Sequence, residues 1–262
     1  MAFDPSTPNL ARMYDYMLGG KDNLAVDRAA VDQIAAHIPA AVPLARANRA
    51  FLQRAVRQLA AAGVRQFLDL GSGLPTGGNV HEVVRDVAPD AKVVYVDHDP
   101  VVASHARALL EEEGKVVFVL ADLLRPAELL TTPEVTDFLD LDEPVAVLLV
   151  SILHFVQDAD DPAGMVKVLR DAVAPGSYLV LTHAVEGIGE EQAEEKVRDV
   201  YRGSSTGGAT GRTMAEISAF FGDFELVQPG LVHVSEWRPD VPGLIGDQGL
   251  PAYLMAGAAR KR

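Results

Sequence analysis

Short uninterrupted apolar runs alternate along the chain with longer stretches in which apolar residues recur every three or four positions. The runs fall at residues 66–70, 92–96, 116–120, 144–150 and 176–183 and have the length of strands. Between them, residues 80–87, 100–112, 126–139 (broken by Pro133) and 161–173 carry helical spacing. Strand and helix in strict alternation predict an α/β fold, with a doubly wound, mostly parallel sheet. Residues 145–150 are nearly all apolar, as befits a strand covered on both faces. Residues 224–227 and 252–256 predict two more strands, which makes seven.

Residues 1–62 read differently, as a helical lead-in before a second unit over 63–262. Residues 9–18 form a short amphipathic helix stopped by Gly19 and Gly20, and residues 23–38 form a second helix ended near Pro39. A third starts at Pro43, carries Leu44, Ala47, Phe51, Val56 and Leu59 on one face, and closes at Gly63. Such a lead-in can fold over the open edge of the sheet as a lid. Residues 186–202 predict a charged helix with a solvated face, and residues 203–211 a glycine-rich flap or linker. Thr213 opens a further helix through Phe221. Residues 230–239, with Trp237, are candidates for core packing or for an acceptor pocket.

The chemistry starts where the first strand ends. Asp69 is followed by a turn with Gly71, Gly73 and Gly77, and then by a helix. Strand, glycine loop and helix in that order build a ligand site, with free N–H groups expected at the helix start. A dinucleotide loop spaces its glycines G-x-G-x-x-G, and the third glycine here is displaced by one. A carboxylate at Asp69 would also repel a pyrophosphate but suit a cation. S-adenosylmethionine meets both demands, with its sulfonium, its ammonium and a single carboxylate.

Two further strands also end in acids. Asp97 lies 24 residues after Gly73, near the position from which such folds bind ribose hydroxyls. Asp99, before Pro100, reads as a helix cap. Asp122 follows the third run and is placed to accept the adenine amino group, with Leu123 against the ring. Each acid can also be a simple turn residue. As a row on one sheet edge they make a site, because open α/β sheets bind ligands at the carboxyl ends of their strands.

Residues 67–73 (FLDLGSG), 93–100 (VVYVDHDP) and 121–126 (ADLLRP) resemble the successive cofactor motifs of class I S-adenosylmethionine-dependent methyltransferases. Residues 12–23 (RMYDYMLGGKDN) narrow the resemblance to an actinobacterial family of S-adenosyl methyltransferases that open with R-x-Y-D-Y-x-L-G-G-K-D-N. The resemblance runs nearly end to end and implies the cofactor, not the acceptor. It implies an antiparallel hairpin of the last two strands at the sheet edge. Expected cofactor contacts are Asp69, Gly71, Ser72, Gly73 and Asp97, joined by His98, Asp122, Leu123, Ser151 and Tyr14. Arg46 and Arg49 are placed either to reach the cofactor carboxylate or to form salt bridges.

Residues 151–158 resemble the segment after the fourth strand of small-molecule methyltransferases, often written L-H-H, with Phe155 in place of the second histidine. His154 is the candidate to orient the acceptor or take its proton, and Tyr16 the second catalytic candidate. His183, at the end of the next strand, has similar standing. Each is weighed against a purely structural role. No spacing of histidines or acids argues for a metal.

Composition sharpens this picture. The chain has 23 basic and 37 acidic residues, a formal charge of -14, and Arg260–Lys261–Arg262 as its one basic run. Nucleic acid and anionic membrane surfaces need a basic footprint, so a small-molecule acceptor is expected instead. The absence of cysteine excludes disulfides, zinc–thiolate sites and cysteine nucleophiles. No apolar run reaches membrane-spanning length and the first residues lack a signal-peptide pattern, so the expected compartment is the cytoplasm. Two other functions share the strand–loop–helix pattern. One is a nicotinamide oxidoreductase, against which Asp69 and the displaced glycine speak. The other is a sensor that binds S-adenosylmethionine without turnover.

Overall fold

The computed structural model describes residues 4–109, 114–240, 251 and 253–262. The expected positions 110–112, at the end of a helix, and Ala252, at the start of a strand, lie outside them. Among the described residues eight strands form one sheet: β1 (Gln66–Leu70), β2 (Lys92–Asp97), β3 (Val116–Leu120), β4 (Val145–Leu149), β5 (Tyr178–Ala184), β6 (Glu225–Leu226), β7 (Val232–His233) and β8 (Leu254–Arg260). Their order is β3-β2-β1-β4-β5-β8-β6, with β7 also on β8. The first five are parallel, and β8 runs antiparallel between β5 and β6. The seven expected strands are present, and the eighth is the two-residue β7.

The helices are α1 (Leu10–Met17), α2 (Ala25–His37), α3 (Ala41–Ala61), α4 (Val80–Arg85), α5 (Pro100–Leu109), α6 (Pro126–Leu129), α7 (Pro133–Thr136), α8 (Pro162–Ala172), α9 (Glu191–Arg202) and α10 (Met214–Ala219). Pro133 splits the expected 126–139 helix, since a proline removes a helical N–H and fits only a first turn. Pro43 falls in the first turn of α3 for the same reason. α9 starts at Glu191, later than expected, after the turn that holds Gly187 and Gly189.

Alternation along the strands sends side chains to two cores. Phe67, Val93, Tyr95, Ala146 and Leu148 face the core shared with α3, α4 and α5. Leu68, Leu70, Val94, Val96 and Val147 face the core shared with α6, α7, α8 and α10. α3 therefore packs on the sheet, while its Ala45 also reaches α1 and α2. Trp237 joins the first core, edge-on to Phe51 at 5.4 Å. Val234 and Trp237 thus pack against α3, whose Arg54 donates to both of their carbonyls. A third, smaller cluster holds Met13, Met17, Val31, Ile34 and Ala45 together with Val197, Val200 and Tyr201 of α9. Lys261 of the basic run is spent on α8, donating to the carbonyls of Arg170 and Val173. Among the described residues no helix is long and apolar enough to cross a membrane.

Candidate active site

β1 and β4 lie side by side, and the strand order reverses between them. Ligands of open α/β sheets bind at such a crevice. A cavity of about 460 Å³ opens there. Its floor is the carboxyl ends of β1, β2 and β4, and its cover is α1, α2, α9 and the 205–211 segment.

The glycine loop forms one wall. Gly71 has φ of 73°, and a Cβ there would lie 2.5 Å from Cγ1 of Ile152. Gly73 has φ of 67°, with nothing within 4 Å of its Cβ position, so the backbone faces open space. Gly71 and Ser72 donate their N–H groups to the Val96 carbonyl, and Gly73 donates to Oδ2 of Asp97 at 2.9 Å. Oδ1 of Asp97 accepts from the Asp99 N–H at 3.0 Å, and Asp99 in turn caps α5 through Val101. Burial raises the pKa of Asp97, opposed by those two backbone donors. His98 stands at the rim, with Nδ1 3.8 Å from Asp97.

Asp69 lies on the α3 face of β1, in register with Tyr95 and Leu148. Burial pushes its carboxyl up to about 7; Arg49 pulls it down and Asp97 adds a little more upward push. Arg49 donates to the Thr76 carbonyl and to Oδ1 of Asn79, while its Nε is buried without a partner. Ser72 Oγ and His154 Nδ1 are likewise buried and unpartnered. All three residues line the cavity.

Not every expected residue comes to the site. Asp122 is exposed, does not line the cavity, and caps its own turn by accepting from Leu124 N–H at 2.9 Å. Asp97 sits level with Leu120, so Asp122 lies two residues further along the sheet edge, where its side chain turns to solvent. Leu123 is buried and does line the cavity. Tyr16 points away from it, its hydroxyl 3.4 Å from Asp32. Tyr14, two residues earlier and so on nearly the opposite face of α1, lines the cavity. Arg46 is exposed and reaches the Met17 carbonyl instead. The start of α4 offers no free donors at two positions, because Asn79 N–H goes to Glu82 and His81 N–H to the Tyr95 hydroxyl.

His154 lines the cavity and His183 does not. Burial, then His183 and Arg212, hold the pKa of His154 well below the usual imidazole range. His183 is fully buried, with Nδ1 2.8 Å from the Ala184 carbonyl and Nε2 2.8 Å from Arg212. Arg212 carries no acceptor, so it donates to Nε2, and the Nδ1 proton goes to Ala184. Burial lowers the pKa of His183 to about 4. Arg212 also donates to the carbonyls of Leu153 and Val156 and to Asp158, which pins the turn carrying His154.

Further site residues come from outside the motifs. The Ser151 N–H donates to Thr182 Oγ1 at 2.7 Å, Thr182 donates to Asn48 at 2.8 Å, and Asn48 donates to the Tyr14 hydroxyl at 2.8 Å. Tyr14 passes its own proton to the Ala45 carbonyl. This chain joins α1, α3 and β5 to Ser151, whose φ of 59° is rare for a residue with a side chain. α9, expected to be solvated, sends Glu194, Val197, Arg198 and Tyr201 to the cavity. Pairing residues in different helices leaves no local pattern, and only the amphipathic spacing of Val197 and Tyr201 hinted at an inner face.

The opening motif is a structural device around Tyr14. Arg12 is buried against Asp27 at 2.7 Å. Asp15 accepts from Asp22 N–H and from Asn23 Nδ2, closing the turn after α1. Gly20 is needed there, because a Cβ would fall inside the Asp15 carboxylate.

Doubly wound sheet, antiparallel edge and glycine-lined acidic crevice together define a class I methyltransferase domain. The profile of the S-adenosyl methyltransferase family matches residues 1–262, and the chain belongs to that family. The enzyme is a methyltransferase dependent on S-adenosylmethionine. A crystal structure of a Thermobifida fusca protein, provisionally assigned as a methyltransferase, superposes with a TM-score of 0.90 at 44% identity, over 98% of this chain and 96% of that one. A DUF574-family protein of Streptomyces avermitilis superposes at 0.92 with 40% identity, over 99% of each chain. The pyocyanin biosynthetic protein PhzM shares the fold alone, at TM-score 0.52 and 19% identity over 95% of this chain and 62% of its own. No curated protein matches the chain.

Proposed function

We propose that the cavity holds S-adenosylmethionine against the glycine loop and a small-molecule acceptor against α9, under a lid made of α1, α2 and residues 203–211. One observation carries the cofactor assignment. A buried carboxyl that resists ionisation, Asp69, shares a glycine wall with two unpartnered polar groups, Ser72 Oγ and Arg49 Nε. A ligand that is cationic at one point, anionic at another and rich in hydroxyls satisfies all three. Asp69 then faces positive charge, Arg49 takes the carboxylate and Asp97 takes the ribose hydroxyls. Gly71, Gly73 and Ser151 let the backbone approach, while Leu123 and His98 flank the base. The cavity volume falls within the range of small-molecule sites.

When bound, S-adenosylmethionine supplies a methyl group already activated by the sulfonium. The chain's own residues therefore serve mainly to position the acceptor and exclude water, and orientation alone is worth roughly 7–11 kcal/mol. His154 holds the acceptor, because its ring lines the cavity at the turn after β4. The lid excludes water. Ser205 N–H donates to the Pro8 carbonyl, and Leu10 N–H and Asn9 reach Ser205 Oγ, tying the arm to the flap. Asn9 also donates to Asp99, beside the ribose acid.

Titration calorimetry with S-adenosylmethionine and with NAD tests the cofactor assignment. Binding of the sulfonium compound alone is expected. A heat of binding for NAD without one for S-adenosylmethionine would overturn it.

A further inference from the structure

We propose that the acceptor is a flat, weakly acidic hydroxy compound, an aromatic or enolic hydroxyl, seated between Tyr201 and His154; this rests on the cofactor assignment above. The part of the cavity away from the glycine loop is lined by Met13, Met17, Ile34, Phe155, Val197 and Tyr201. The Phe155 and Tyr201 rings meet edge-on at 5.1 Å, and His154 lies 4.3 Å from Phe155. Such a wall packs a planar ring better than a polar chain.

Charge on this wall is already matched from within. Arg198 pairs with Glu195 at 2.7 Å, and Glu194 accepts from Gly189 N–H at 2.9 Å and Gly187 N–H at 3.3 Å. Thr210 donates to Gln157. The charged side chains of α9 that reach the cavity, Glu194 and Arg198, thus already have partners. His154 is the exception in polarity, an imidazole that lines the cavity beside these apolar side chains. Kept neutral by burial and by Arg212 behind it, His154 accepts a hydrogen bond from a hydroxyl but cannot pair with a carboxylate. Burial pushes the Tyr201 hydroxyl up to about 12, so it remains a neutral donor. A neutral donor and a neutral acceptor on one apolar wall recognise a neutral hydroxyl. The hydroxyl becomes strongly acidic as its oxygen bonds to the methyl carbon, and a phenol-type hydroxyl, the more acidic from the start, gives up its proton to an imidazole more readily than an aliphatic alcohol does.

The step balances. The acceptor oxygen forms its bond to the methyl carbon as the carbon–sulfur bond breaks, and that electron pair stays on sulfur, which becomes a neutral thioether. The hydroxyl proton passes to His154 and from there to water when the lid opens.

The test is calorimetry on the full chain in saturating S-adenosylhomocysteine. The probes are 2-naphthol, naphthalene-2-carboxylate, (2-naphthyl)methylamine and 2-decalol, with mass spectrometry for 2-methoxynaphthalene when S-adenosylmethionine replaces the homocysteine. 2-Naphthol is expected to bind at least about tenfold more tightly than the other three, one good hydrogen bond's worth, and to be methylated. Tyr201→Phe should weaken 2-naphthol severalfold and leave S-adenosylhomocysteine binding intact. Equal or tighter binding of the carboxylate, amine or decalol overturns the acceptor class, and so does S-adenosylhomocysteine binding with no 2-naphthol binding. If S-adenosylhomocysteine itself does not bind, the cofactor assignment falls and takes this proposal with it.

Discussion

The N–H of Gly73 donates to Oδ2 of Asp97 at 2.9 Å, across the gap between β1 and β2. The glycine loop and the acid 24 positions later are thus one piece of structure. Asp97→Ala removes both the proposed ribose acceptor and the anchor of the loop. Loss of charge-assisted bonds of about 1.5–3 kcal/mol should weaken S-adenosylmethionine binding by roughly ten- to a hundredfold. Calorimetry showing unchanged affinity would remove Asp97 from the site.

Asp69 predicts a pH dependence of binding. Its carboxyl holds a proton up to about pH 7 in the folded protein, and a cationic ligand favours the ionised form. Affinity should therefore rise with pH through about 7 and then level off. Below that value, binding should release a proton, detected as a buffer-dependent heat. Asp69→Asn should bind weakly and lose the proton release. A flat affinity profile in the unaltered protein would show that Asp69 does not face positive charge.

The same group predicts a pH dependence of folding. A carboxyl raised from 3.8 to about 7 binds its proton more tightly folded than unfolded. Stability is therefore fully present below the unfolded value and is lost as pH rises between about 4 and 7, by at most about 4 kcal/mol. Asp69→Asn should erase that loss and unfold at a higher temperature than the unaltered chain at pH 8. Equal melting temperatures there would contradict the burial argument.

Gly71 and Gly77 should behave oppositely although both lie in the glycine turn. Gly71→Ala meets Ile152 at 2.5 Å in a left-handed backbone, whereas an alanine Cβ at Gly77 has nothing within 4 Å. Gly71→Ala should cost about 1–3 kcal/mol of stability and abolish detectable cofactor binding, while Gly77→Ala stays within about 0.5 kcal/mol. Denaturant titration of the two variants separates them, and equal losses would count against the geometry of the loop.

Arg12 and Asp27 join α1 to α2, the helices of the proposed lid, as a buried pair at 2.7 Å. Arg12→Ala strands the Asp27 carboxylate and should destabilise by about 3–5 kcal/mol. Hydrogen exchange should speed up most in α1 and α2, and least in β1 and β4. Uniform acceleration across the chain would mean that the lid does not open as a unit.

Local pattern carried the framework. Strand runs, helix spacing and Pro133 have causes within a few residues, so the parallel order of alternating elements was readable, and so were the glycine turn, Asp97 as a strand-ending acid and Asp99 as a cap. Which face of a helix or which row of a sheet meets the cavity was not. Tyr14 and Tyr16 differ by two positions on α1, and only packing against Asn48 and Ala45 selects the first. Asp122 ends a run just as Asp97 does, and only the folded structure leaves it exposed while Ala121 and Leu123 on either side line the cavity. Arg212, His183 and His154 are far apart in the chain, and the burial that keeps both imidazoles neutral exists only once β5, the turn after β4 and the strand-to-helix segment before α10 are packed together. Sequence by itself determined the elements and the type of ligand site, because backbone preference and hydrophobic period act locally. Tertiary structure alone decided which acids, tyrosines and histidines line the cavity, because burial and pairing are properties of distant segments brought into contact.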